Sequence, residues 1–291
     1  MDFDAIIIGG GPAGASCGLW LKGLGFAPLI VEARDRLGGS QNDSPYVNSW
    51  VAGLGDVTGE AFAARIDAQL RAHGVTIATG CRASRIEPAG GGFAVEAVGA
   101  DGPLNRTART VVAATGVTPE RGGLADAAGV RFGPGRHIHD IPAGARVAIL
   151  GGGDNAFENY GFARAAGAAS VTIFARTLRA RPALRSLAPV SDVREGAYRV
   201  APGERTVNGE RFDLVFVFYG FRAETPYLDG LAVVRDGKGY LRNAAATAET
   251  DVRGLYAVGE VAARQHPCCV TAMADGVTAA KAIERRLAGE Q

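Results

Sequence analysis

Cysteine is scarce in this sequence: four in 291 residues, Cys17, Cys81, Cys268 and Cys269, with no Cys-x-x-Cys among them. Thiols so few and so scattered exclude a disulfide-stapled scaffold and fit a chain kept in a reducing compartment. Net charge is missing too. The 31 basic and 30 acidic side chains leave a formal charge of +1, which gives no global field for drawing in nucleic acid or an anionic membrane. Long apolar runs are also absent. The first, Ala5 to Ile8, is flanked by Asp2 and Asp4 and stopped by Gly9, too short and wrongly flanked for a signal peptide. No run approaches the length of a membrane span. A cytoplasmic protein is expected, with no nucleic-acid, membrane or metal partner.

What the sequence has in quantity is glycine, 42 residues, gathered between apolar runs as punctuation rather than spread as low complexity. The chain reads as folded throughout, and its length exceeds that of one compact domain, which favours two domains or one interrupted by another. Short runs rich in β-branched residues, at 5–8, 28–31, 111–114, 147–150, 171–174 and 214–218, alternate with alanine-rich helical stretches. That is the pattern of parallel strands buried between helices. Two of these strands run straight into glycine loops, at Gly9 and again at Gly151, so a duplicated α/β plan is expected. A further strand at 255–258 and a final helix from about Pro267 need a sheet supplied from elsewhere in the chain.

The first loop reads Gly9-Gly10-Gly11-Pro12-Ala13-Gly14 and leads into a helix. In a G-x-G-x-x-G of this kind the glycines allow a tight turn, close approach of backbone to a pyrophosphate, and close packing of helix on strand. The helix N-terminus offers free N–H groups and the positive end of a dipole. The next strand ends on Glu32, 18 residues beyond Gly14, where a carboxylate can accept from the ribose hydroxyls of an adenosine. The second loop, Gly151-Gly152-Gly153-Asp154-Asn155-Ala156, repeats the plan with alanine in the third small position. The strand after it ends without an acid and runs into Arg176, Arg179 and Arg181. Guanidinium groups there suit a 2′-phosphate, so NADPH is favoured over NADH.

From Glu32 through Ala33 to Gly38-Gly39-Ser40-Gln41, the sequence resembles the FAD half of the thioredoxin reductase-like flavoproteins, and the resemblance extends over nearly the whole chain. It implies two Rossmann-like three-layer dinucleotide-binding domains, with the NAD(P)H domain (119–244) inserted in a discontinuous FAD domain (1–118 and 245–291). It places Gly9, Gly11, Pro12, Ala13, Gly14, Glu32, Ala33, Gly38, Gly39, Gln41, Thr115 and Gly116 at FAD. Gln41 stands one position later than in the family's Gly-Gly-Gln. Gly259-Glu260 corresponds to a Gly-Asp whose carboxylate bonds the flavin ribityl chain, with Glu one methylene longer. The helix beginning near Pro267 would aim its N-terminus, with Cys269 and Val270, at the flavin. Apolar residues at 270, 273, 277, 280, 283 and 287 would form its buried stripe. For NADPH the resemblance points to Gly151, Gly153, Asp154, Asn155, Ala156, Arg176 and Arg181, with two of the family's four basic positions lost to Ala175 and Thr177.

The family's redox dithiol is missing. Arg136-His137-Ile138-His139-Asp140 stands where a Cys-x-x-Cys followed by Asp would precede the second loop. His139 falls at the flavin-proximal cysteine and Asp140 at the acid, with His137 and His139 read as alternating along an extended linker. Proton exchange suits His139 and Asp140. Thiol chemistry would fall to Cys268 and Cys269 at a helix N-terminus, although two small space-filling residues are an equal reading. The leading expectation is an FAD-dependent oxidoreductase reduced by NADPH that passes electrons directly to a small redox protein or small molecule. A thiol/disulfide oxidoreductase using Cys268 or Cys269 is one alternative; a non-catalytic FAD-binding redox sensor is another. Homodimers are common in the family.

Overall fold

A computed structural model describes residues 1–100, 102–264 and 266–289. The chain forms two compact units, one made of Met1–Val117 with the chain from Arg222 onward, the other of Thr118–Phe221.

In the first unit five strands lie parallel in the order Thr76–Ala78, Pro28–Val31, Phe3–Ile8, Gly102–Ala113 and Leu255–Ala257. The last of these finds its sheet beside Gly102–Ala113, Leu255 opposite Val111. The run Ile6-Ile7-Ile8 is continuously apolar because both of its faces are covered. Ile7 packs under helices α1 (Pro12–Gly23), α2 (Gly59–Ala72) and α5 (Cys269–Leu287), numbered in chain order with α3 and α4 of the second unit. Ile6 and Ile8 pack against a layer the sequence reading missed, an antiparallel meander of Arg82–Ala89, Gly92–Gly99 and the first half of Gly102–Ala113.

Helices α1 and α5 touch closely because Gly276 has no side chain: a Cβ there would stand 2.3 Å from the Ala13 carbonyl oxygen and 2.7 Å from the Cys17 nitrogen. The expected stripe holds at Ala280 and Ile283, which are buried, and at Met273 and Leu287, which pack partly buried against the core, but it fails at Val270. The buried face of α5 is Ala272, Gly276, Ala279, Ala280, Ala282 and Ile283, and Val270 is 45% exposed. Close helix contact selects small residues such as Ala272, Gly276 and Ala279, which the spacing of the apolar residues did not trace. The helix starts at Cys269, with Pro267 ahead of its cap.

The second unit repeats the parallel plan with strands in the order Val193–Glu195, Ser170–Ala175, Arg146–Leu150, Leu214–Val217 and Val130–Phe132. Helix α3 (Asp154–Ala165) follows the second glycine loop, and the short α4 (Pro182–Arg185) lies beyond Arg181. Ile149, Ile173, Phe157, Tyr160 and Phe216 form its core on one face, and Phe174, Phe212 and Val215 on the other.

The first junction lies within one residue of the expected 118, but the return to the first unit comes at Arg222 rather than 245. The cause is packing. Tyr227, Leu228, Leu231, Val233 and Leu241 fill the meander layer beside Ile86 and Phe93. That stretch has almost no regular structure, so no periodicity announced it.

Candidate functional site

At the first loop, Gly9 adopts φ +106°, and a Cβ on it would meet the Ala114 carbonyl oxygen at 2.5 Å. Gly14 is tighter still, with its would-be Cβ 2.0 Å from the Gly9 carbonyl oxygen. These two glycines are required by the fold itself. Gly11 is different: its nearest neighbour is the Gly39 Cα at 3.7 Å, so the protein leaves its face open. Gly11 is the N-cap of α1 and Pro12 begins it, with no side-chain cap among the described residues. Gly38 (φ +109°) and Gly39 (φ +55°) form a left-handed turn laid against Gly11, and the Gly38 N–H donates to the Gly10 carbonyl at 2.8 Å.

Glu32 is buried at the end of its strand. One carboxylate oxygen accepts from the Gly10 N–H at 2.7 Å and the other from the Arg34 N–H at 2.8 Å. This fixes the carboxyl beside the loop while each oxygen keeps a lone pair for a further donor. Ala33, next in sequence, is exposed. Gln41 is partly committed, since its amide oxygen accepts from Asn48 at 3.0 Å.

Three more segments converge on this loop. Thr115 follows Ala114, which touches Gly9 and Gly14, and its hydroxyl bonds the buried Tyr227 hydroxyl at 3.0 Å. Gly116, beside it, takes φ +68° with open space around it. Gly259 (φ +72°) packs on Ala13, to which a Cβ would approach within 2.8 Å. Its neighbour Glu260 has no hydrogen bond to its carboxylate among the described residues, and burial pushes its pKa up. The N-terminus of α5 lies against the same turn through Ala272.

Cys268 caps α5. Its sulfur accepts from the Thr271 N–H at 3.5 Å, and the Thr271 hydroxyl in turn accepts from the Cys268 N–H at 3.1 Å, closing a capping box. The Thr271 hydroxyl and N–H hold the exposed Cys268 thiol below its ordinary pKa, whereas burial pushes the half-buried Cys269 thiol up. All four cysteines are free thiols.

In the second unit Gly151 (φ +139°) and Gly152 are required by contact, with would-be Cβ atoms 2.4 Å from the Phe218 carbonyl oxygen and 2.1 Å from that of Thr177. A Cβ on Gly153, the N-cap of α3, would meet nothing within 4 Å. Asn155 and the buried Ala156 follow in the first turn of α3. Asp154 accepts from the Arg181 backbone N–H at 2.9 Å and from its guanidinium at 2.8 Å. Arg181, expected at a 2′-phosphate, is thus tied to the head of α3. Arg176 and Arg179 are exposed. Glu195, from the neighbouring strand, accepts from the Leu178 N–H at 3.4 Å in the same loop.

The family model for pyridine nucleotide-disulphide oxidoreductases matches residues 3–188, spanning both loops. The chain belongs to that family. The F component of alkyl hydroperoxide reductase in Staphylococcus aureus is 28% identical over 307 residues, covering 96% of this chain and 58% of that protein. The Pseudomonas aeruginosa protein of the same name is 27% identical over 304 residues, covering 95% and 57%. The chain therefore spans under two thirds of the length of these relatives. Thioredoxin reductase from Lactococcus lactis superposes with a TM-score of 0.82 at 20% identity, covering 99% of each chain. That of T. acidophilum gives 0.81 at 23%, also covering 99% of each. A bacillithiol disulfide reductase from Bacillus cereus gives 0.78 at 20%, covering 98% of this chain and 100% of the other. These solved structures share the two-unit Rossmann-like fold.

Members of this pyridine nucleotide-disulphide oxidoreductase family use FAD and NAD(P)H, and the first loop fits such a group. Gly11 is open, α1 is uncapped, Glu32 is oriented by two N–H donors and the Glu260 carboxylate has no hydrogen bond among the described residues. The segment Arg136 to Asp140 lies in the second unit. Arg136–Ile138 is a helical turn, which corrects the expected extended linker. It seats the His139 ring 3.9 Å from that of Phe162 on α3, and burial first, then Arg136 and His137, push its pKa down. Asp140 is exposed, its carbonyl accepting from Arg131 at 2.8 Å. The sequence reading missed Tyr227, Asp275 and Arg264, none of which lies in a recognisable motif.

Proposed function

We propose that the protein is an FAD-dependent oxidoreductase that takes reducing equivalents from NADPH and delivers them to an acceptor without an internal dithiol. The observation that carries this reading is the repeated loop: in each unit the second glycine, Gly11 or Gly153, is free of protein contacts that require it. A glycine that folding does not need is explained by what approaches it from outside.

Gly11, Pro12, Ala13, Gly14 and the N-terminus of α1 would hold the FAD pyrophosphate, Glu32 with Ala33 the adenosine ribose, and Gly38, Gly39 and Gln41 the approach to the flavin. Thr115, Gly116, Glu260, Cys269 and Val270 would line the rest. Bound FAD supplies acceptance of a hydride from the reduced nicotinamide and its release as electron pairs or single electrons. Asp154, Asn155 and Ala156 at the head of α3 would hold the second pyrophosphate. Arg176 and Arg179 supply the positive charge for a 2′-phosphate, offset in part by Glu195, while Arg181 acts through Asp154. His139, whose pKa is pushed down by burial and then by Arg136 and His137, would serve as a proton acceptor, with Asp140 as its acidic neighbour.

The acceptor is a small redox protein or a small molecule that meets the flavin directly. A second reading, disulfide reduction by Cys268, draws on its exposure and lowered pKa; full turnover by a Cys268→Ala/Cys269→Ala variant removes it. Anaerobic mixing of the FAD-loaded protein with NADPH or NADH tests the main reading. NADPH should bleach the flavin faster. Faster reduction by NADH sinks the preference, and no bleaching by either leaves a non-catalytic flavin module.

A further inference from the structure

Asp275 does something no sequence motif advertises. It projects from the second turn of α5, and its carboxylate accepts from the Gly259 N–H at 3.0 Å. The same carboxylate pairs with Arg264, and the two side chains are only 19% and 25% exposed. Arg264 also donates to the Thr271 carbonyl at 3.0 Å. Thr271 in turn forms the capping box with Cys268. One chain of contacts therefore joins the turn that carries Glu260 to the first turn of α5.

Each end of that chain needs holding. Gly259 is in a left-handed conformation wedged on Ala13, and it opens a short 3-10 turn, Gly259–Val261, whose first N–H points outward to the Asp275 carboxylate. Glu260 beside it has no hydrogen-bond partner among the described residues, so nothing bonded to its own side chain sets its direction. Among the described residues, the cap on the first turn of α5 is the Cys268 side chain, which accepts from the Thr271 N–H. A half-buried ion pair that also accepts a backbone N–H is a costly arrangement unless geometry is gained from it.

We infer that Asp275 and Arg264 are positioning residues for flavin binding, fixing the Glu260 turn and the α5 N-terminus in one mutual geometry. This rests on the cofactor reading above. Removing Asp275 would leave the Gly259 N–H without an acceptor and the Arg264 guanidinium without its counter-charge in a partly buried place, held only by the Thr271 carbonyl, and Glu260 would lose its set direction.

The test uses apoprotein titrated with FAD, following flavin fluorescence, together with the visible circular dichroism of bound flavin and the melting temperature of each apoprotein. For Asp275→Ala, FAD affinity should fall by about tenfold to a hundredfold, the scale of one unsatisfied polar group. The dichroism of bound flavin should change. Asp275→Asn, which still accepts from Gly259, should recover part of both, and Arg264→Met should resemble the alanine variant. A merely structural role would lower the melting temperature and leave the dichroism alone. FAD affinity within about twofold of wild type and unchanged dichroism in Asp275→Ala and Arg264→Met would overturn the inference; were the alanine variant insoluble, the same result in Asp275→Asn and Arg264→Met would do so. Failure of the wild-type apoprotein to take up FAD would instead defeat the cofactor reading.

Discussion

Two glycines of the first loop, Gly11 and Gly14, three residues apart, should respond to the same substitution in opposite ways. At Gly14 an alanine Cβ would lie 2.0 Å from the Gly9 carbonyl oxygen, 3.0 Å from Ile7 and 3.1 Å from Ala114. The first of these is backbone and cannot swing aside, so helix and strand must part. Overpacking of this kind costs about 1–3 kcal/mol, which in a chain of this size lowers the melting temperature by roughly 2–10 °C. At Gly11 the nearest atom is 3.7 Å away and the backbone is extended, with φ −69° and ψ −179°. Alanine fits there. Its reduced unfolded-state entropy and its poorer capping oppose each other, each under about 1 kcal/mol, and stability should hardly move. The methyl group, however, projects onto the open face proposed for the pyrophosphate, so on that reading FAD affinity should fall by about tenfold to a hundredfold. Thermal melts of the apoproteins and FAD titrations measure both quantities. A Gly11→Ala variant that binds FAD like wild type would refute the reasoning, because the open face of Gly11 would then serve nothing.

Further outcomes follow from individual contacts. Gly276→Ala should push α5 from α1 against Ala13 and Cys17 backbone atoms, costing about 1–3 kcal/mol in a denaturant melt of the whole chain; no loss would contradict the close packing. Iodoacetamide near neutral pH should label Cys268 before Cys269, with Thr271→Val slowing the reaction at Cys268, as peptide mass spectrometry can follow. Labelling of Cys269 first would reverse the assignment of the two thiols. Glu260 has its folded-state pKa raised by burial above the ordinary 4.5, so the folded state binds the proton more tightly than the unfolded one. Apoprotein stability from this group is therefore present below the ordinary value and is lost as pH rises through the folded pKa. Glu260→Gln should stabilise the apoprotein at neutral pH and lose that advantage in acid. An advantage that persists unchanged at low pH would contradict the assigned cause.

Most of the parallel framework was legible because buried strands of parallel sheets are continuously apolar, and each of the runs at 5–8, 28–31, 147–150 and 171–174 forms a strand. The glycine loops were legible for a steric reason that the contacts at Gly9, Gly14, Gly151 and Gly152 make explicit. The meander at 82–108 was not, since its strands alternate between exposed and buried residues and its first strand includes Pro88. Nor was the return at Arg222, where Tyr227, Leu231 and Leu241 bury themselves without a repeating pattern. Motifs gave Glu32 and Glu260 but not their supports. Asp275 and Tyr227 act across 16 and 112 residues of sequence, a distance over which one sequence carries no signal. Arg181 was read by its charge alone, and its tie to Asp154 depends on a turn that only the fold supplies.

The central claim is that electrons leave this protein from the flavin without an internal dithiol. Anaerobic titration of the FAD-loaded protein with a reductant of known strength, read at the flavin absorbance, counts the electrons it can store. Complete reduction at about two electrons per FAD, the capacity of a flavin alone, is the expected result. Uptake of about four, abolished by Cys268→Ala/Cys269→Ala, would show a redox-active thiol pair and contradict the account.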